Sequence, residues 1–228
     1  ACVGSVWRSD SGVVCRSASG GFTDWPVAVS SGRQHGSASL VLSYNAPVVS
    51  SVGLSNAASS GGMSLTVVGR GGLGSSDFSA TASVGVSGCA ASVWRSDSGL
   101  VCRSAGGVRG GAAVLVSSGV QRGSVSAAVS YDAPSVSSAG VSNVASSGAM
   151  SVSVSGRGMG VGGLSAVGRV GGSACGASVW RSDSGLVCRV ASGLPGGVGA
   201  VVSAGVQRGS VSAAVSYDAP SVSSAGVS

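Results

Sequence analysis

The sequence predicts an all-β chain made of small β-sandwiches repeated in tandem. Three observations lead there. A cysteine-flanked stretch recurs with its tryptophans at Trp7, Trp94 and Trp180, a period of 86 to 87 residues, which is the size of a small β domain. Valine alternates with serine along much of the chain, the period-two signature of a half-buried strand. The residues that favour long helices are scarce: all 13 basic residues are arginine, all 7 acids are aspartate, and Lys, Glu and Ile do not occur.

Serine at 53 and glycine at 41 of 228 residues raise the question of disorder. The valine periodicity, the fixed tryptophans and the paired cysteines argue for a folded chain instead. The net charge of +6 is spread over isolated arginines, so there is no basic cluster for nucleic acid, although an anionic polysaccharide or surface stays compatible. No apolar run reaches the length of a membrane span.

The recurring stretch covers residues 2–15, 89–102 and 175–188. Each copy reads as two short apolar runs joined by a polar turn, with a cysteine at both ends. A hairpin turning at Arg95-Ser96 would set Cys89 opposite Cys102, close enough for a disulfide. The expected pairs are Cys2 with Cys15, Cys89 with Cys102 and Cys175 with Cys188, against the alternative of six buried thiols. Each bridge would close a short loop and contribute about 3 kcal/mol, and the set points to an oxidising, extracellular or cell-surface location. With one histidine and no CxxC spacing, a zinc site is not expected.

The remaining elements follow in order. Residues 27–30 and 37–44 read as strands with a turn over 31–36, and the pattern returns at 114–131 and 200–217. Pro47, Pro134 and Pro220 follow the last strand each time, where a missing amide donor suits an edge. Short strands are expected over 48–54 and 136–141, over 63–69 and its copy at 150–156, and over 80–84 and 166–170. About seven such strands per repeat is the pattern of an immunoglobulin-like sandwich. The expected domains are 1–46, the back part of one repeat; 47–133 and 134–219, two complete repeats; and 220–228, the first strand of another. Either the chain is a window on a longer array, which is the favoured reading, or chains join head to tail by strand addition.

Three motifs carry a family resemblance. They are Ala-Pro-x-Val-x-Ser-x-Gly from Ala46, the run Ser-Gly-Gly-Met-Ser-Leu-Thr-Val-Val-Gly-Arg-Gly-Gly-Leu-Gly ending at Gly74, and Cys-x4-Trp-x-Ser-Asp-Ser-x2-Val-Cys. Together they resemble the IPT/TIG domain family, immunoglobulin-like folds of plexins, tandem-repeat surface proteins and some transcription factors. The cysteine hairpin is similar to the extracellular, disulfide-bearing branch. The chain departs from the family pattern at Leu73 and Met159, where an aromatic is common, and at Asn56-Ala-Ala and Asn143-Val-Ala, where a proline is usual.

Candidate sites reduce mostly to structure. Residues 69–74 and 158–163 match GxGxxG, but no helix follows, so tight turns account for them better than a nucleotide site. Asp10, Asp97 and Asp183 read as turn-formers bonding nearby amides, too few for calcium. Arg8, Arg95 and Arg181 read as solvated, and the three tryptophans as packing residues with sugar stacking as the alternative. His35 is expected in a turn, and no catalytic set or cofactor site emerges. Asn45, Asn56 and Asn143 lack a Ser or Thr two positions on, so no N-glycan acceptor is present. Ser135, Ser137 and Ser138, with their copies Ser221, Ser223 and Ser224, are the candidate O-glycosylation positions.

The composite expectation is a non-enzymatic extracellular rod or filament subunit that self-associates head to tail or laterally and carries or meets glycans. The alternative is an adhesin or receptor-like ectodomain, favoured by the loop Phe22-Thr23-Asp24-Trp25-Pro26, which occurs only once.

Overall fold

The structure, a computed structural model, describes residues 2–20, 23–74, 80–162, 166–224 and 226. The described residues form strands and turns with no helix, so no helix is long and apolar enough to cross a membrane. The first four strands are β1 (Cys2–Ser9), β2 (Gly12–Ser17), β3 (Trp25–Ser31) and β4 (Gln34–Leu42). Then come β5 (Val49–Val52), β6 (Asn56–Ala57), β7 (Ser64–Gly69), β8 (Thr81–Val84), β9 (Ser87–Gly88), β10 (Ala91–Ser96), β11 (Gly99–Arg103), β12 (Ala112–Ser118) and β13 (Gln121–Tyr131). The same series returns as β14 (Ser135–Ala139), β15 (Asn143–Val144), β16 (Ser151–Arg157), β17 (Val167–Val170), β18 (Ser173–Ala174), β19 (Ala177–Ser182), β20 (Gly185–Arg189), β21 (Gly196–Ala204) and β22 (Gln207–Tyr217).

Each series makes a four-stranded and a five-stranded sheet, ordered β10-β11-β7-β5 with β6-β13-β12-β8-β9, then β14-β16-β20-β19 with β15-β22-β21-β17-β18. The architecture is all-β, with tandem immunoglobulin-like sandwiches. β1 with β2, and β3 with β4, are separate hairpins. Pro47 and Pro134 precede β5 and β14, which are edge strands, so their missing amides break no ladder bond.

Two compact units divide the chain. One is Ala1–Gly53, Ser64–Arg103 and Ala113–Ala128; the other is Leu54–Met63, Ser104–Ala112 and Val129–Ser228. In the first, β8 lies across β10 and β11, and Leu65, Val67, Ala82, Val84, Leu100, Cys102, Val114 and Val116 are buried. In the second, one cluster takes Val152, Val154, Leu186 and Cys188 from the four-stranded sheet and Val170, Val202, Val215 and Tyr217 from the five-stranded one. The serine-valine alternation produces this directly: β16 buries Val152 and Val154 and turns Ser151, Ser153 and Ser155 outward.

Three local expectations need correction. The hairpin turns at Asp97-Ser98, with Ser96 opposite Gly99, and not at Arg95-Ser96. With the turn there and a one-residue irregularity between Trp94 and Ser96, the residue opposite Cys102 is Ser92. Cys89 instead precedes β10 and is held by its amide on the Ala82 carbonyl. From there it bridges to Cys102 across a Cα separation of 5.7 Å; disulfides likewise join Cys2 to Cys15 and Cys175 to Cys188. His35 sits on β4 opposite Ser30, with Nδ1 2.8 Å from the serine hydroxyl, and not in a turn. Residues 220–224 form no strand. Phe22 lies outside the described residues.

A tyrosine fastens the last strand of every repeat. Tyr44, Tyr131 and Tyr217 donate their hydroxyls to the carbonyls of Ala18, Ala105 and Ala191 at 2.7, 3.0 and 3.0 Å. A glycine lies under each ring: a Cβ on Gly20, Gly107 or Gly193 would come within 2.5 Å of the tyrosine. Burial pushes the Tyr131 phenol above its ordinary range. The folded form therefore keeps its proton where the unfolded chain loses it, so this contribution is intact below about pH 10 and is lost as pH rises further. Urea midpoints measured across the alkaline range should fall for the native chain and fall less steeply for Tyr131→Phe. Leu186→Ala, at a side chain 1% exposed, should cost about 2–5 kcal/mol in chemical denaturation, whereas Val3→Ala on the exposed face should change little.

Candidate functional site

The residues of the hairpin turn and the glycine-rich loop come together. In the loop after β7, Gly71, Gly72 and Gly74 have φ of 100°, 86° and 80°, a left-handed backbone open to glycine and strained for other residues. Successive amides in such a loop converge into a concavity that favours an anion. Here the anion is internal. Asp97 Oδ1 accepts from the amides of Gly72 at 3.1 Å and Gly74 at 2.7 Å, and the Asp97 carbonyl accepts from Leu73 N. The next repeat does the same with Asp183, whose Oδ1 accepts from Gly160 N at 2.8 Å and whose carbonyl accepts from Met159 N. The aspartates thus bond amides more than twenty residues away in sequence, not the neighbouring ones expected. Their carboxylates occupy the place a phosphate would need, which is a positive structural reason to set the GxGxxG matches aside.

The glycines are also required by close approach. A Cβ on Gly72 would meet the Ala46 carbonyl at 2.5 Å, and one on Gly158 would meet the Ala133 carbonyl at 2.7 Å. Leu73 and Met159, the departures from the family pattern, are buried. Trp94 lies half-buried over this loop and donates Nε1 to the Leu73 carbonyl at 3.1 Å. Trp180 packs against the core of its repeat. Trp7, by contrast, is 68% exposed. Arg8, Arg95 and Arg181 are exposed.

A second constellation joins the last residues of one series to the next. Gln121 Nε2 donates to the Tyr44 carbonyl at 2.5 Å, and Gln207 Nε2 donates to the Tyr131 carbonyl at 2.8 Å. Ser59, 1% exposed, donates its hydroxyl to Asp183 Oδ1 at 2.7 Å. Within each repeat, Asn56 donates to Asp132, and Asn143 to Asp218. A Cβ on Gly123 or Gly209 would stand 2.0 Å from the carbonyl of Pro47 or Pro134. Sequence reasoning missed Gln121, Gln207, Ser59 and the tyrosines. The signal was there: Gln-x-Gly and Tyr recur at constant spacing in all three copies, at Gln34 and Tyr44 as well.

The serines singled out for sugar are exposed. Ser135, Ser137 and Ser138 lie on edge strand β14, and Ser221, Ser223 and Ser224 lie beyond β22. Ser137 donates to the Ser155 carbonyl at 3.1 Å. A cleft of about 550 Å³ opens on the two N-terminal hairpins, lined by Cys2, Cys15, Trp25, Val27, Leu42 and Tyr44 among others.

No protein-family model matches the sequence. No curated protein matches it either. Among solved structures, the plexin A4 extracellular region is similar at 16% identity over 75% of this chain and 18% of that chain, with a TM-score of 0.40. The surface glycan-binding protein PbSGBP-B from Prevotella bryantii is similar at 13% identity over 74% of this chain and 42% of that one, with a TM-score of 0.47. The titin I9–I11 tandem is similar at 9% identity over 90% and 78%, with a TM-score of 0.33. The chain therefore spans 18% of the plexin chain's length. At these identities and TM-scores the fold rests on the sheets and cores of this chain itself.

Asp97→Ala removes two charge-assisted hydrogen bonds and frees the loop under Trp94. The expected result is a loss of about 1–3 kcal/mol and a red shift of tryptophan emission relative to the native chain. Unchanged emission would show that the loop keeps its place without the carboxylate.

Proposed function

We propose that the chain is a non-enzymatic extracellular structural protein, a run of immunoglobulin-like repeats that self-associates into a filament and bears O-linked sugar on its serine-rich edges. The proposed repeats are 47–133 and 134–219, with 1–46 as the back part of another and 220–228 as the start of a further one. The observation that carries this reading is the recurrence of one joint: the glutamine-to-tyrosine-carbonyl bond occurs twice with the same residues. A surface that repeats along one chain can repeat between chains, and contacts between unlike faces build an open filament where their rotation does not close a ring. Three cystines support an oxidising location. Exposed Ser135, Ser137, Ser138, Ser221, Ser223 and Ser224 are accessible for glycosylation.

One observation favours a second reading, an adhesin or receptor-like ectodomain that binds glycan or protein. Trp25, 45% exposed, lines the N-terminal cleft together with Tyr44 and the Cys2–Cys15 bridge, and exposed aromatics beside a cleft suit a sugar face.

Electron microscopy of native material, with intact mass before and after reduction, separates the two. Ordered fibres with oxidised cysteines and mass beyond the polypeptide are expected. Discrete single particles that bind oligosaccharide would transfer the assignment to the second reading, and fully reduced thiols would overturn the extracellular one.

A further inference from the structure

We infer that Arg103 and Arg189, each with the free hydroxyls on the strand beside it, form a binding face for an anionic polysaccharide, one whose sugar units carry carboxylate or sulfate. The inference rests on the glycan-binding reading above and deepens it by naming the face and the charge of the sugar; it does not depend on filament formation. Arg103 ends β11 and Arg189 ends β20, strands with a neighbour on both sides in their four-stranded sheets. Each arginine follows directly on a buried half-cystine, Cys102 or Cys188, so its backbone is held by two ladders and a bridge. The side chains around each guanidinium are short: Arg103 stands between Ala91 and Ser64, and Arg189 between Ala177 and Ser151.

Strand alternation places a second row on the same outward face, two residues along. It reads Val93, Val101 and Thr66 in one series, and Val179, Val187 and Ser153 in the next. Ser64, Thr66, Ser151 and Ser153 are exposed, and among the described residues neither their hydroxyls nor the two guanidinium groups have a partner in the chain. The same holds for every arginine: no arginine side chain among the described residues makes an ion pair or a hydrogen bond. The carboxylates of Asp97, Asp132, Asp183 and Asp218 accept instead from amide and hydroxyl donors. None of them is spent on an arginine, so the cationic excess of the chain, +6, stands free at its surface.

The charge calls for an acid, and the neighbouring side chains decide which acid. A planar guanidinium takes a carboxylate or sulfate through two parallel N–H bonds. Strands about 4.8 Å apart put the serine or threonine hydroxyl within reach of the ring hydroxyls of the same sugar unit. The part-exposed valines of the second row suit the C–H face of a ring. Nucleic acid needs aromatic platforms for its bases, and here the tryptophans fall on the alternate positions, Trp94 opposite buried Leu100 and Trp180 opposite buried Leu186. An anionic membrane needs large apolar groups to insert, which two valines do not supply. The arrangement recurs in both series, which suits a ligand that is itself a repeat.

Two charge-matched variants of the full chain test this. Arg103→Ala with Arg189→Ala removes the face, and Arg122→Ala with Arg208→Ala removes the same charge from exposed positions on the five-stranded sheets. Circular dichroism checks that both remain folded, and calorimetry reads binding to polygalacturonate, dextran sulfate, neutral dextran and single-stranded DNA. The native chain should bind polygalacturonate or dextran sulfate, the tighter of the two naming the acid group, and should lose affinity as salt rises. The first variant should bind that polymer about tenfold more weakly, and the second within about twofold of the native chain. Equal affinity of the two variants, or DNA bound as tightly as the polysaccharide, would reduce the effect to net charge and overturn the face. Neutral dextran bound as tightly as the acidic polymers would overturn the anionic ligand while the glycan-binding reading stands. If the native chain binds no polysaccharide, the face and that reading fall together.

Discussion

The carboxylate of the hairpin turn holds the glycine loop, and most of what distinguishes these repeats depends on that contact. Asp97 and Asp183 each place one oxygen on loop amides that no sheet partner satisfies. With the loop held, Leu73 and Met159 stay buried. Trp94 finds its acceptor on the same loop. Gly72 and Gly158 come against the carbonyls of Ala46 and Ala133, in the segments that lead into β5 and β14. One ionised oxygen thus connects the cystine hairpin, the core and the entry to the repeat. The geometry is available only because glycine accepts positive φ at those positions.

The core is made of small side chains. Valine, alanine and leucine fill it, with Met159, Tyr131 and Tyr217 as its larger parts and Cys102 and Cys188 buried among them. Small sandwiches of this kind bury limited apolar area and rely on staples. The cystine closes the hairpin, the tyrosine hydroxyl ties the last strand to the carbonyl of Ala105 or Ala191, and the asparagine–aspartate pairs fix β6 and β15. The outward faces carry serine with scattered arginine and aspartate. Such a surface is rich in hydroxyl groups that donate and accept hydrogen bonds.

The period, the fold class and the burial of alternate valines were legible in the sequence because they follow from residue spacing alone: Val152 and Val154 face inward for the same reason that Ser151 and Ser153 face out. The hairpin turn was misplaced by two residues because an irregularity between Trp94 and Ser96 interrupts the alternation on which the reading depended. The place of the turn at Asp97-Ser98 and that one-residue shift together set Ser92, and not Cys89, opposite Cys102. The aspartates were recognised as turn residues, but their partners lie on a loop that only the tertiary fold brings near. Gln121 and Gln207 went unread because their constant spacing from Gly and Tyr does not say what the amide bonds; its meaning appears only when the carbonyl of Tyr44 or Tyr131 is seen opposite it.

The most direct test of the central contact is amide hydrogen exchange at single-residue resolution over the glycine loops. The account predicts that Gly72, Gly74 and Gly160 are strongly protected and that Asp97→Asn selectively weakens the protection of Gly72 and Gly74 while β12 keeps its own. Exchange of these amides at the rate of an open loop in the native chain would contradict it. The carboxylate would then be solvated, and the tie between hairpin, core and joint would have to lie elsewhere.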